Sequence, residues 1–162
     1  MAIGRRGRYN RRKRYGLAKL PMGNWAGAVR PFKQSKDHYG FTVVHTDAGT
    51  GDRVIARVYE SHDAGYPRKS TGIPTRIDPK RVWYLQRIEP RTARVYGGTI
   101  ATLRYLADQA NQRRAWLITE VMAESRDDAA VIRVLKKYGN FEDVPDASFQ
   151  PRLLVRRPRL PV

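Results

Sequence analysis

Residues 41–60, FTVVHTDAGTGDRVIARVYE, decide how this chain folds. Two runs rich in β-branched and aromatic side chains, FTVVHT and RVIARVYE, flank DAGTGD, whose two glycines and two aspartates are turn formers. A β-hairpin follows. Side chains alternate along a strand, so Val54, Ala56 and Val58 share one face of the second run, with Ile55, Arg57 and Tyr59 on the other.

Beyond the hairpin, SHDAGYPRKSTGIPTRIDPK (61–80) holds three prolines, two glycines and four basic residues. Connections of that length without regular structure are uncommon inside compact domains and are often functional. RVWYLQRIE (81–89) reads as a third strand, with Val82, Tyr84 and Ile88 opposite Trp83, Leu85 and Arg87, and Pro90 ends it. Gly97 and Gly98 precede a helical pattern in TIATLRYLADQANQRR, where Ile100, Leu103, Leu106, Ala107 and Ala110 line one side and Thr99 is placed as the N-cap. AWLITEVM (115–122) returns to a strand. SRDDAAVIRVLKKYG (125–139) is a well-marked helix. Ser125 caps it, Asp127 and Asp128 sit in the positive first turn, Val131, Val134, Leu135 and Tyr138 form the apolar stripe, and Gly139 terminates it after Lys136 and Lys137. The order β-β-loop-β-α-β-α predicts a single α+β domain, a mainly antiparallel sheet with two helices on one face.

Charge divides the chain differently. Residues 1–36, a basic arm and docking strap, carry eleven Lys or Arg and no acid. The body, 37–146, holds 17 basic and 15 acidic residues, and the tail, 147–162, adds four arginines and no acid. Most of the net charge of +17 therefore lies at the two ends of a nearly neutral body. That pattern suits a domain that holds a polyanion with its extensions. Within the arm, GRRGRYNRRKRYG (4–16) is too densely charged to build a core and is expected to be disordered in isolation. Leu17, Leu20, Met22, Trp25, Val29 and Phe32 make the remainder an extended strap that docks on this chain or a neighbour. The prolines of the tail forbid a helix, and Leu153, Leu154, Val155 and Leu160 predict docking on a neighbour.

The candidate nucleic-acid-binding residues are Arg5, Arg6, Arg8, Tyr9, Arg11, Arg12, Lys13, Arg14, Tyr15 and Lys19 in the arm, with Arg68 and Lys69 in the long loop. Arginine forms bidentate hydrogen bonds to phosphate oxygens, and tyrosines between arginines can stack on bases. Without cysteine, disulfides and thiolate metal sites are excluded. No apolar run approaches the ~18–20 residues of a membrane span, and no signal peptide is visible. The expected location is the cytoplasm or a virion.

The layout is similar, by analogy and with no shared motif, to virion proteins and to ribosomal proteins with tails threaded into rRNA. The expected function is that of a non-enzymatic nucleic-acid-binding structural protein of a nucleoprotein assembly, a virion coat or virion-associated protein in preference to a ribosome-like particle. It needs no cofactor or metal, its partner is DNA or RNA, and it works as a homo-oligomer or in a multi-protein assembly. The alternative is a metal-dependent nuclease or replication enzyme using Asp47, Asp52, Glu60 and His62 around the hairpin.

Overall fold

β2 (Tyr39–Asp47) and β3 (Arg53–Tyr59) form the hairpin, paired from Gly40 opposite Tyr59 to Thr46 opposite Arg53. Its turn is built as the residue types require. One Asp47 carboxylate oxygen accepts the backbone N–H groups of Gly49 (2.7 Å) and Thr50 (2.9 Å), and Gly51 takes a left-handed φ of 77°. The computed structural model describes residues 25–89, 96–121, 126–144 and 152–160. The candidate residues Arg5, Arg6, Arg8, Tyr9, Arg11, Arg12, Lys13, Arg14, Tyr15 and Lys19, like the Ser125 cap, lie outside them.

Among the described residues the hairpin lies in a seven-stranded sheet of order β1 (Trp25–Lys33), β2, β3, β4 (Val82–Glu89), β5 (Trp116–Val121), β7 (Arg152–Arg156), β6 (Glu142–Asp143). β1 pairs antiparallel with β2 along its whole length. β4 pairs antiparallel with β3 and parallel with β5. β7 lies between β5 and the short β6, antiparallel to both. The domain is α+β, with mostly antiparallel strands.

The strap takes one of the two places expected for it, and the tail differs from expectation. Residues 25–33 of the strap are an edge strand, so its docking surface is this chain's own sheet. Residues 152–156 of the tail are an inner strand with Leu153, Leu154 and Val155 buried, so they dock within the chain. Short segments broken by Gly and Pro carry too little periodicity to be read as strands alone.

Helices α2 (Tyr96–Gln112) and α3 (Arg126–Gly139) cover one face. Leu103 and Leu106 of α2 and Ile132 and Leu135 of α3 pack on Phe41, Val43, Val58, Trp83, Leu85, Leu117 and Leu154. Burying each such side chain contributes about 1.5–3 kcal/mol against the entropy of ordering the chain. α2 begins earlier than its sequence suggested, so Thr99 is inside the helix and is not its cap. Within the helix, position 98 has room only for glycine, since a Cβ there would come within 2.7 Å of both Trp25 and Val54. At the end of α3, Asn140 (φ 61°) adopts the left-handed conformation expected of Gly139.

β4 does not alternate simply. Arg57 pairs with Arg87 and Val58 with Leu85, which leaves Gln86 as an extra residue. This bulge reverses the alternation. Ile88 therefore packs on the helix-side core with Trp83 and Leu85, and Arg87 moves to the face of Tyr84, the opposite of a strict period of two.

Candidate nucleic-acid interface

The second face of the sheet is covered over only half its width. Across β4, β5 and β7, Ile73, Ile77, Ala64 and Tyr66 of the long loop pack on Val82, Trp116, Ile118, Leu153 and Val155. The loop is thus the cover of a second small core. It contains a short helix, α1 (Arg68–Thr71). Arg68, a candidate phosphate contact, directs one guanidinium nitrogen to the carbonyls of Pro74 (2.9 Å) and Ile77 (2.9 Å), holding the loop closed. Lys69 is exposed.

Across β1, β2 and β3 no described element packs on that face. Cross-strand pairing places Ala28 with Val44 and Ile55, Arg30 with Thr42 and Arg57, and Phe32 with Gly40 and Tyr59. The open face carries a joined set of rings. Tyr59 is at its centre, 5.2 Å from Phe32, 5.5 Å from His62 and 6.4 Å from Tyr84 between ring centroids. The Tyr59 and Tyr84 planes differ by 22°, and His62 stacks on Tyr84 at 5.4 Å and 21°. His38 closes the group, 5.6 Å from His62. The Arg57 guanidinium lies 4.0 Å over the Phe32 ring while its Nε donates to the Tyr59 hydroxyl at 3.2 Å. Phe32, Tyr59, His62 and Tyr84 are half-buried, so their rings reach solvent.

Glu120 on β5 anchors this set. Its two carboxylate oxygens accept hydrogen bonds from the Tyr84 hydroxyl (2.8 Å) and the Tyr66 hydroxyl (2.5 Å). Burial and the hydrogen bond to Glu120 push the Tyr66 phenol up to about 12, and the same causes raise Tyr84 further. Both phenols stay protonated donors, which ties the loop and the platform to one carboxylate. Beside the rings opens a cavity of about 280 Å³ lined by Asp37, His38, Ser61, His62, Asp63 and Arg68. Ser61 (φ 55°) and Ala64 (φ 59°) hold left-handed backbone at its edge. Burial, then the nearby His38 charge, lowers the pKa of His62, with Asp63 opposing.

The hairpin set proposed for metal chemistry does not converge. Asp47 is committed to the turn with Asp52 beside it, while Glu60, bound to Arg113 at 3.0 Å, and His62 follow the opposite end of β3. Among the described residues no group of three His, Cys, Asp or Glu is placed to hold a metal ion. His45 lies on the helix side, fully buried, with Nδ1 2.5 Å from the Thr102 hydroxyl. That hydroxyl donates to the Gly98 carbonyl, so it accepts from Nδ1–H, and His45 Nε2 has no partner. Burial lowers the His45 pKa to about 4.

Sequence reading named neither Phe32, Tyr84 nor Glu120 as functional. The available signal was the outward side of β3, where Arg57 and Tyr59 occur at a spacing of two. No family model, curated protein or solved structure matches this chain. Among the described residues no helix is long and apolar enough to cross a membrane.

Proposed function

We propose that this protein is a non-enzymatic nucleic-acid-binding component of a nucleoprotein assembly, a virion protein in preference to a ribosome-like one. The observation that carries the reading is the continuity of charge. Residues 1–24 hold eight Lys or Arg and no acid, and they run directly into β1, the edge strand of the open, arginine-bearing face. Phosphates neutralised by the arm release counterions, which supplies affinity without sequence preference. The body provides a rigid attachment and surfaces for other copies.

Deleting residues 1–16 tests this. That segment holds seven basic side chains, so the slope of log affinity against log salt should fall in magnitude by up to about 6 if all engage duplex phosphates. The truncated protein should keep its circular dichroism. Unchanged affinity and slope would remove the arm from the binding machinery.

A second reading, an enzyme with a small-molecule ligand, is favoured by one observation. β4 and β5 are parallel, joined through α2, and pair only from Val82–Trp116 to Leu85–Thr119. Beyond the Gln86 bulge they part, leaving a cavity of about 60 Å³ whose lining includes Ile88, Thr119, Val121 and Leu135. The carboxyl ends of parallel strands are where open sheets with helical crossovers admit ligands. That volume admits about two water molecules or a small ion, so thermal-shift screening against small anions and short organic acids tests it, and no stabilisation by any of them would dismiss it.

A further inference from the structure

We infer that the open face of β1–β3 is a stacking platform for unpaired nucleobases, so that the protein's nucleic-acid partner is engaged as a single strand. The inference rests on the nucleic-acid reading above and adds a second, chemically distinct site to it.

Three features point there together. First, the rings of Phe32, Tyr59, His62 and Tyr84 touch one another and are half-exposed, with Phe32 and Tyr59 on the open part of the sheet and His62, at the start of the long loop, stacked on Tyr84 of β4. A sheet face that serves only as exposed surface has no need for an unbroken set of aromatic rings. Second, the rings are held. Glu120 fixes the Tyr84 hydroxyl at 2.8 Å, and Arg57 bridges Phe32 and Tyr59, so little ordering is left for the moment of binding. Third, the charge complements a polyanion. Arg30, Arg53 and Arg87 are exposed on this face, and Arg57 lies among the rings. Of the exposed acids, Glu89 is 3.3 Å from Arg87 in an ion pair, and Asp37 and Asp63 sit at the edge of the rings, lining the cavity beside His62.

These features favour one occupant. A second copy of this chain would bring the same arginines against themselves, face to face. A duplex hides the flat surfaces of its bases and offers only groove edges, which a broad sheet face cannot enter. A single strand exposes the base planes, and every base has a π face, so rings and guanidinium planes take it without sequence preference. The phosphates then fall to the arginines around the rings.

The test uses the full-length protein, with Phe32→Leu and Tyr59→Leu singly and together, and Tyr59→Phe as the variant that keeps the ring. Probes are labelled oligothymidylate, oligouridylate and a DNA duplex of equal length, bound over a range of salt. Each lost stack should weaken single-strand binding roughly 5- to 100-fold while duplex binding and the salt slopes stay unchanged, and Tyr59→Phe should bind nearly as wild type. The two single strands differ in the sugar and in the thymine methyl, and equal loss on both supports stacking on bases alone. Intact circular dichroism with unchanged single-strand affinity in the double variant would overturn the platform and leave the arm reading standing. Equal loss on duplex and single strand would also overturn it. A change in sedimentation mass in the variants would assign the face to another copy. Wild type that binds none of the probes would sink both readings at once.

Discussion

β2 and β3 present two faces built from alternate residues of the same strands, and the two faces follow different rules. On the helix side, Phe41, Val43, Val54, Ala56 and Val58 are excluded from water, and even the polar members, His45 and Asp47, are buried. On the other side, Thr42, Val44, Ile55, Arg57 and Tyr59 remain half-exposed. The first face is specified by volume, since a closed core registers the loss of any methylene. The second is specified by chemistry, by rings and guanidinium groups held at fixed positions with one side free. A strand can therefore serve stability and recognition at once, provided its period of two is kept.

The largest expected effect separates the faces directly. Trp83→Ala, which empties a site 1% exposed beneath the helices, should cost about 3–5 kcal/mol in urea unfolding. Tyr59→Leu on the open face should cost about 1 kcal/mol or less. Equal costs would mean that the open face is a second core.

Acid should act next most strongly, through His45. Its folded pKa of about 4 lies below the ordinary 6.5, so the unfolded chain takes up the proton more readily. Stability from this group is present above pH 6.5 and is lost as pH falls toward 4, by about 3 kcal/mol in all. Comparing urea midpoints of wild type and His45→Leu across that window isolates the term. Parallel pH curves for the two proteins would contradict it.

Arg156 closes the far end of the helical layer. Its Nε donates to the Gly139 carbonyl at the end of α3 (3.0 Å) and its Nη1 to the Asn111 side chain (3.0 Å). Burial first, then the charge of Arg159, lowers its pKa to about 10, with Asp108 opposing, so it stays charged at neutral pH. Arg156→Met should lose about 2–3 kcal/mol by leaving those acceptors unpaired, measured again by urea unfolding. A loss near zero would mean that water replaces both bonds.

The smallest effect belongs to the turn. Asp47→Asn keeps an oxygen for the Gly49 and Thr50 N–H groups and should shift stability by less than about 1 kcal/mol. A larger loss would show that the carboxylate's charge matters at this buried position.

The hairpin, the third strand, β5 and both long helices were legible because each carries a long local pattern. β1 and β7 were not. Their residues, WAGAVRPFK and RLLVR, gain strand character only from neighbours distant in sequence, Trp25 against Asp47 and Leu154 against Thr119. The bulge at Gln86 has no sequence mark, so Ile88 and Arg87 were assigned to the wrong sides. The candidate site was hidden for the same reason. Phe32, Tyr59 with His62, and Tyr84 come from three separate stretches, and only pairing between strands brings those stretches together.

β7 also sets a timetable. The strand that fills the gap between β5 and β6 is made of residues 152–156, close to the end of the described chain. Because a chain is synthesised from its N-terminus, every other described strand is made before it. Until Arg152–Arg156 leave the ribosome, β5 waits with one edge unpaired and Ile118 uncovered by Val155, a template for wrong pairing. Translation products that stop short of Arg152 should therefore collect in the insoluble fraction, and completion of the sheet becomes a checkpoint that only molecules carrying Arg152–Arg156 pass.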